Sequence, residues 1–232
     1  MTSTSISFEG ARIEATNAFF RRVYHWMTAG LILTAVMAHW VASSPTMLRM
    51  ILGNIIVFYI LIGAELLLVF TLSGAIQRIS AGAAMAMFVL YSLLNGATLS
   101  VILLVYARES IFGAFLTTAG MFAAMSVYGL YTKRDLTSLG SFLRMGLMGL
   151  LIAMLVNFFV GSGVAELAIS AMGVLIFLGL TAYDTQYLRE LGGQVDLEDD
   201  MGRKLVIIGA LKLYLDFVNI FLFLLRLFGR RR

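Results

Sequence analysis

The sequence predicts an all-α integral membrane protein with seven transmembrane helices, and composition and spacing carry this prediction. Of its 232 residues, 60% are hydrophobic and only 13% are charged, whereas a soluble domain has about 25% charged residues. The mean hydropathy is +0.93. Long apolar runs alternate with short polar segments along the whole chain. A chain with so few charged residues cannot form a polar surface toward water, so its outer surface is expected to contact lipid.

The apolar runs define the spans, because a hydrocarbon core about 30 Å thick needs roughly 20 residues of helix. Four of the runs contain no charged residue, and the other three are interrupted by a few charges. We expect spans at residues 23–42, 50–72, 79–105, 111–131, 142–161, 167–190 and 205–228. This transmembrane domain, 23–228, would lie between a polar cytoplasmic segment, 1–22, and a basic tail, 229–232.

The distribution of Lys and Arg predicts the orientation, since short cytoplasmic loops are enriched in both. With seven spans, the N-terminus shares its side with most of the basic loop residues, so we expect it to be cytoplasmic. Arg226 and the tail arginines, Arg230 to Arg232, would lie on the opposite side. If the chain had six spans and its last segment turned back within the membrane, these arginines would lie in the cytoplasm. We expect seven, because 205–228 is long enough to cross.

Small residues recur on the fourth span, where Gly113, Thr117, Gly120 and Ala124 are spaced at i, i+4, i+7 and i+11. Helices in lipid associate through small residues that let their backbones approach. We therefore expect this stripe to pack inside a compact bundle.

Several chemistries are excluded by what the sequence lacks. It has no Cys, no P-loop, no H-E-x-x-H and no G-x-S-x-G motif, so we expect no enzyme and no resident cofactor. The acidic loop at 196–200 lacks the Gly and the closing Glu of an EF-hand. The net charge of +4 comes from basic residues between apolar runs, which indicates membrane topology and no nucleic-acid partner.

Charged residues inside the predicted spans are the candidate functional residues, because each costs at least ~2.5–3.5 kcal/mol at the bilayer centre. Four candidates stand out: Glu65, Asp184, Lys212 and Asp216. On the seventh span Lys212, Asp216 and Asn219 fall at i, i+4 and i+7, on one face. That face suits the bundle interior better than lipid, so we expect the seventh helix to lie inside the bundle.

Asp184 and Asp216 lie on consecutive antiparallel spans and are expected to approach each other. Counted from the helix ends, Asp184 is roughly 10 Å deep and Asp216 roughly 18 Å, a difference that tilt or a longer sixth helix would absorb. Two buried carboxylates cannot both ionise cheaply, so the pair would titrate as a unit and sense pH or bind a cation. The alternative is a Lys212–Asp216 ion pair that only makes the seventh helix tolerable. Glu65 is equally open to an interhelical hydrogen bond.

Three segments resemble the Bax inhibitor-1 (TMBIM) family. They are residues 133–143 (KRDLTSLGSFL), 179–186 (GLTAYDTQ) and 210–221 (ALKLYLDFVNIF), and the resemblance extends over nearly the whole chain. It implies seven helices with the last one central, and a pH-sensitive leak of Ca²⁺ across the membrane. In eukaryotes the family is also associated with suppression of cell death.

The resemblance also implies roles for particular residues. Asp184 and Asp216 would form the aspartate pair that gates the pore, with Glu65 as a third transient contact for Ca²⁺. Arg78 is the nearest equivalent of a basic residue that latches the pair, and Lys212 would tune the gating pH. The chain would be a bacterial member in the inner membrane, with lipid and Ca²⁺ as its partners and Ca²⁺ as the transported ion.

Two other functions compete with a channel. One is a non-transporting interaction protein that modulates a membrane protease or stress response, in which the polar N-terminal segment would matter. The other is a retinal Schiff base on Lys212. Microbial rhodopsins place an Asp one turn before that Lys, whereas Asp216 comes after it, and the third span has no carboxylate counter-ion. The leak channel that the family resemblance implies is the leading hypothesis.

Overall fold

The computed structural model describes residues 2–51 and 53–231, with side chains at residue 10 and from residue 12 onward. Within this part of the chain the regular elements are helices. They are α1 (Thr2–Ser43), α2 (Pro45–Ile51), α3 (Ile55–Gly74), α4 (Ala81–Val105), α5 (Arg108–Tyr131), α6 (Thr137–Val160), α7 (Gly163–Gly192) and α8 (Asp200–Phe228), with a 3₁₀ turn at Ile76–Arg78.

In the described part of the chain, seven helices are long and apolar enough to cross a membrane, which confirms the predicted all-α membrane fold. Every helix except the short α2 belongs to this set, and the part of α1 that qualifies is Arg12–Ser43. The second span begins at Ile55 and not at residue 50 as predicted. The reason is local: Asn54 is extended, and its side chain accepts a hydrogen bond from the Ile56 N–H at 3.0 Å, which starts a new helix.

The chain forms two compact units, and α8 contributes residues to both. The first comprises residues 1–105, 190–214 and 232, and the second comprises 106–189 and 215–231. In the first unit α1 packs closely on α4, because Gly96 lies against the Thr34 carbonyl oxygen and Gly30 lies against the Phe88 ring. A side chain at either glycine would collide with the neighbouring helix.

In the second unit the close helix contact of α5 is made by Gly129, which lies against the Ala182 carbonyl oxygen of α7. The predicted stripe is not the packing face: all four of its residues are exposed within this unit, and Gly113 and Gly120 have open space beside them. The buried positions of α5 are Thr118, Phe122, Ser126 and Gly129. The interpretation of the stripe as a bundle contact was therefore wrong, since small residues permit close packing without requiring it.

The last helix, α8, is the most buried span, with 61% of its most apolar segment buried against 44% for α4, the next highest. In the first unit its start is fixed to the loop before α4, where Asp200 accepts the Ala81 N–H at 3.0 Å and Lys204 donates to the Ile79 carbonyl at 3.1 Å. In the second unit its end is fixed to the loop after α4, where the Arg230 carbonyl accepts the Ala107 N–H at 3.0 Å.

Among the described residues α8 is one of seven helices that are long and apolar enough to cross a membrane, and seven is the number of spans expected. Arg226, Arg230 and Arg231 lie at the far end of α8, beside the α4–α5 connection, and Arg231 pairs with Glu166 at 3.4 Å. Arg232 of the predicted tail and Met1 of the predicted N-terminal segment lie outside the described residues.

Candidate functional site

Asp184 lies on α7 with only 7% of its surface exposed. The residues around it hold this part of the helix against its neighbours. Ala182 and Thr185 contact Gly129 of α5, and the Tyr183 ring covers Gly140 of α6. A helix fixed on both sides of a carboxylate keeps that carboxylate in a defined position.

The turn between α5 and α6 is held by side chains that follow Asp184 on α7. Gln186 accepts the Leu136 N–H and donates to the Arg134 carbonyl, both at 2.8 Å. Arg189 donates to the Leu130 carbonyl at 2.5 Å, near the end of α5. The two recognisable segments at 133–143 and 179–186 are therefore parts of one contact, in which α7 fixes the turn. Conventional helix-end chemistry explains these polar residues without a catalytic role.

Asp135 of this turn shows the same local role. Its carboxylate accepts the Thr137 N–H at 2.8 Å at the start of α6. Hydrogen bonds from the Thr137 hydroxyl and from its N–H lower the pKa of Asp135 below the ordinary range. The side chain is fully exposed, so this shift reports a helix-starting contact and not a buried site.

Asp216 lies on α8 with 4% of its surface exposed. The next residue, Phe217, packs edge-on against Phe115 and Phe122 of α5, with ring centroids 5.5 Å apart in each pair. Asn219, on the same face as Asp216, donates to the Leu215 carbonyl of its own helix at 2.8 Å. Asp216 is therefore on a stretch of α8 that is packed against α5 within the second unit.

The packing of α7 on α8 sets the relative level of the two aspartates. The Phe177 and Phe223 rings lie 6.0 Å apart between centroids. From these rings, Asp184 and Asp216 are each seven residues away in the direction of the α7–α8 connection, two turns or about 10.5 Å on the same helix face. On each helix the side chains point toward the N-terminus of that helix. The rings and the carboxylates are therefore displaced from their backbones in the same direction, and the level found for the rings also applies to the aspartates. This register puts Asp184 and Asp216 at one level of the α7–α8 pair.

This register also explains the unequal depths counted from the helix ends. If Phe177 is level with Phe223, then Gly192 at the end of α7 is level with Ile208. The helix α8 begins at Asp200, about 12 Å before that level. Depths counted from the two helix ends differ for that reason, although the two aspartates lie at one level of the helix pair. The gating role of the pair stays a prediction.

Glu65 lies on α3 in the first unit and accepts two hydrogen bonds from α4. The Asn95 amide donates to it at 3.1 Å and the Thr98 hydroxyl at 2.9 Å. Asn95 in turn accepts a hydrogen bond from the Tyr214 hydroxyl at 2.9 Å, and that hydroxyl lies 2.6 Å from the Thr34 hydroxyl. A continuous polar chain therefore joins α3, α4, α8 and α1.

Tyr214 is the centre of this polar chain and was not among the predicted site residues. It is fully buried, and the rings of Phe88 and Tyr91 pack edge-on against it at 5.9 Å and 5.7 Å between centroids. Asn95 was missed as well, although an amide in the middle of an uncharged span requires a partner in lipid. That requirement was the available signal, and it does not say which helix supplies the partner.

The predicted basic residues differ in their surroundings. Arg78 ends the 3₁₀ turn and is exposed, while Lys212 is half-buried on α8. Their roles as latch and tuning residue stay predictions. Lys204, counted in the sequence only as a loop charge, is instead buried and paired with Asp200 at 2.9 Å. No sequence signal separates it from the exposed basic residues beside it.

The described residues contain no group of three or more His, Cys, Asp or Glu side chains arranged to hold a metal ion. Asp184 and Asp216 offer two carboxylates, whereas Ca²⁺ takes six to eight oxygen ligands. An ion at this position would take its remaining ligands from water or from other oxygen groups.

Comparison with known proteins places these observations in a family. The family described as "Inhibitor of apoptosis-promoting Bax1" matches residues 16–232. The chain is 49% identical over 215 residues to the inner membrane protein YbhL of Escherichia coli K12, and the match covers 92% of each chain. It is 42% identical over 224 residues to a protein of Borreliella burgdorferi, covering 97% of each, and 43% identical over 219 residues to one of Deinococcus radiodurans.

Proposed function

Because this chain belongs to the Bax inhibitor-1 family, we propose that it is a pH-sensitive calcium leak channel of the bacterial inner membrane, gated by protonation of Asp184 and Asp216. The observation that carries the proposal is the α7–α8 register, which brings two buried carboxylates to one level. The inner-membrane location is supported by the seven apolar spans and by the name of the relative YbhL.

The pair has enough electrostatic energy to act as a gate. Two unit charges about 4 Å apart repel each other by about 4 kcal/mol at the effective dielectric constant of protein sites. Each ~1.4 kcal/mol changes an equilibrium tenfold. A proton gained or lost by the pair therefore changes which arrangement of α7 and α8 is populated. The ionised carboxylates also attract a divalent cation, so gating and ion binding use the same two groups.

Glu65 is proposed as a further transient contact for the ion. It is held by Asn95 and Thr98, so its carboxylate has a fixed position on α3. In this proposal Arg78 latches the closed arrangement and Lys212 adjusts the pH at which the pair titrates. Neither of these two roles is needed for the gate itself, which depends on the aspartates.

The test is Ca²⁺ entry into dye-loaded proteoliposomes between about pH 5 and 8. Wild type is compared with Asp184→Asn and Asp216→Asn, which keep the size of the side chain and remove its titration. The matched control is Asp196→Asn, because this exposed loop residue only accepts the Glu198 N–H at 2.9 Å, a bond that Asn also accepts. We expect a pH-dependent flux in wild type and control that either site variant flattens.

A wild type that leaks no faster than empty liposomes at every pH would overturn the proposal. Retention of the full pH dependence in both Asn variants would overturn the gate while leaving the leak. In the first case a non-transporting role, such as modulation of a membrane protease, would become the hypothesis to test.

A further inference from the structure

Three buried hydroxyl groups in the second unit have no hydrogen-bond partner among the described residues. Two of them belong to Ser126 on α5 and Thr185 on α7, which are 4% and 0% exposed. Buried hydroxyls of helical Ser and Thr ordinarily donate to the carbonyl one turn earlier. Thr118 and Thr181, on the same two helices, do so at 2.7 Å and 2.8 Å.

An unsatisfied buried hydroxyl is costly, and in native proteins its partner is often a water molecule or an ion. The neighbours show that both helices offer the usual carbonyl bond at nearby positions. The hydroxyls of Ser126 and Thr185 do not make this bond with their own helix. A third such hydroxyl, that of Ser170, lies about 21 Å from Asp184 along α7 and is not part of the inference.

Both hydroxyls lie where α5 meets the helices that carry the aspartates. On α5, Ser126 is one turn after Phe122, which contacts Phe217 beside Asp216. It is also one turn before Gly129, which contacts Thr185 beside Asp184. All of these contacts lie within the second unit.

We propose that the hydroxyls of Ser126 and Thr185 hold the water molecules that complete the oxygen shell of a divalent cation at Asp184 and Asp216. The proposal rests on the proposed function, since it assigns further positioning residues to the same site. Two carboxylates supply at most four oxygens, and Ca²⁺ takes six to eight. Water is among the ordinary oxygen ligands of Ca²⁺, and a hydrogen bond to a fixed hydroxyl would hold such a water in place.

The first measurement is the Ca²⁺ concentration that gives half of the maximal leak into proteoliposomes. Ser126→Ala and Thr185→Val remove the hydroxyls with little change of shape. The controls are Ser100→Ala and Thr118→Val, whose hydroxyls are buried and donate to a carbonyl of their own helix. We expect the half-maximal concentration to rise about three- to tenfold in each site variant, the factor that loss of one hydrogen bond gives. The pH profile should keep its shape, because both aspartates remain.

The second measurement is the thermal unfolding midpoint in detergent, which does not require a leak. If the Thr185 hydroxyl has no bound water, Thr185→Val removes an unsatisfied buried polar group, and the unfolding midpoint of this variant rises. If it holds water, the midpoint stays or falls.

The outcomes separate this proposal from the proposed function. A wild type without leak overturns the function. If the wild type leaks and both site variants show the same Ca²⁺ dependence as the wild type, the proposal that the two hydroxyls hold water ligands is overturned and the proposed function is not. A raised midpoint in Thr185→Val also overturns them, and a shifted Ca²⁺ dependence without such a rise supports them.

Discussion

Replacement of Tyr214 by Phe tests the polar chain that joins four helices of the first unit. Phe keeps the ring, and therefore the edge-on contacts with Phe88 and Tyr91. It removes the hydroxyl that donates to Asn95 at 2.9 Å and lies 2.6 Å from the Thr34 hydroxyl. The Asn95 oxygen then remains buried without this donor. A loss of that kind lowers the free energy of unfolding by about 1–3 kcal/mol.

The expected change is measurable as a shift of the thermal unfolding midpoint in detergent, followed by circular dichroism. For a protein of about this size each kcal/mol corresponds to roughly 2–4 °C, so Tyr214→Phe should unfold about 2–12 °C below wild type. Tyr131→Phe serves as the control, because Tyr131 is 78% exposed and its hydroxyl is dispensable.

A double-mutant cycle with Thr34→Val isolates the contact from other effects. If the two hydroxyls interact, the double variant loses less stability than the two single variants together, by about 0.5–3 kcal/mol. A midpoint of Tyr214→Phe within error of wild type would refute the reasoning. If the two single losses in free energy of unfolding simply add in the double variant, the 2.6 Å contact contributes nothing to stability.

Two further predictions concern the second unit. Gly129→Val should prevent folding, because the added side chain would collide with the Ala182 carbonyl. The control Gly120→Val has open space beside it and should remain folded. Size-exclusion chromatography in detergent measures the folded protein, and equal behaviour of the two variants would contradict the packing. Hydrogen bonds from Thr137 lower the pKa of Asp135. The ionised carboxylate therefore stabilises the start of α6 at pH values above its ordinary pKa, and this stabilisation is lost as the pH falls through the lowered pKa. Hydrogen exchange of the Thr137 amide, corrected for intrinsic rates, should therefore accelerate in that acidic window in wild type and not in Asp135→Ala.

The sequence by itself determined the class, the seven spans and the family. Hydrocarbon thickness fixes how many apolar residues a span needs, so the spacing of charges in the chain marks the helices without any structure. The cost of charge in lipid likewise singled out Glu65, Asp184 and Asp216. Local segments around the aspartates were specific enough to identify the family before any contact was known. Each of these inferences depends on one helix at a time.

The tertiary structure alone decided which helix faces meet and at what level. In lipid, an apolar face gains little by turning toward another helix, so a pattern of small residues does not identify the packing face. For that reason the stripe at Gly113 and Gly120 is exposed while Gly129 makes the contact. The common level of Asp184 and Asp216 follows from the Phe177–Phe223 contact. Register depends on side chains of two helices together, and periodicity along one helix carries no information about it.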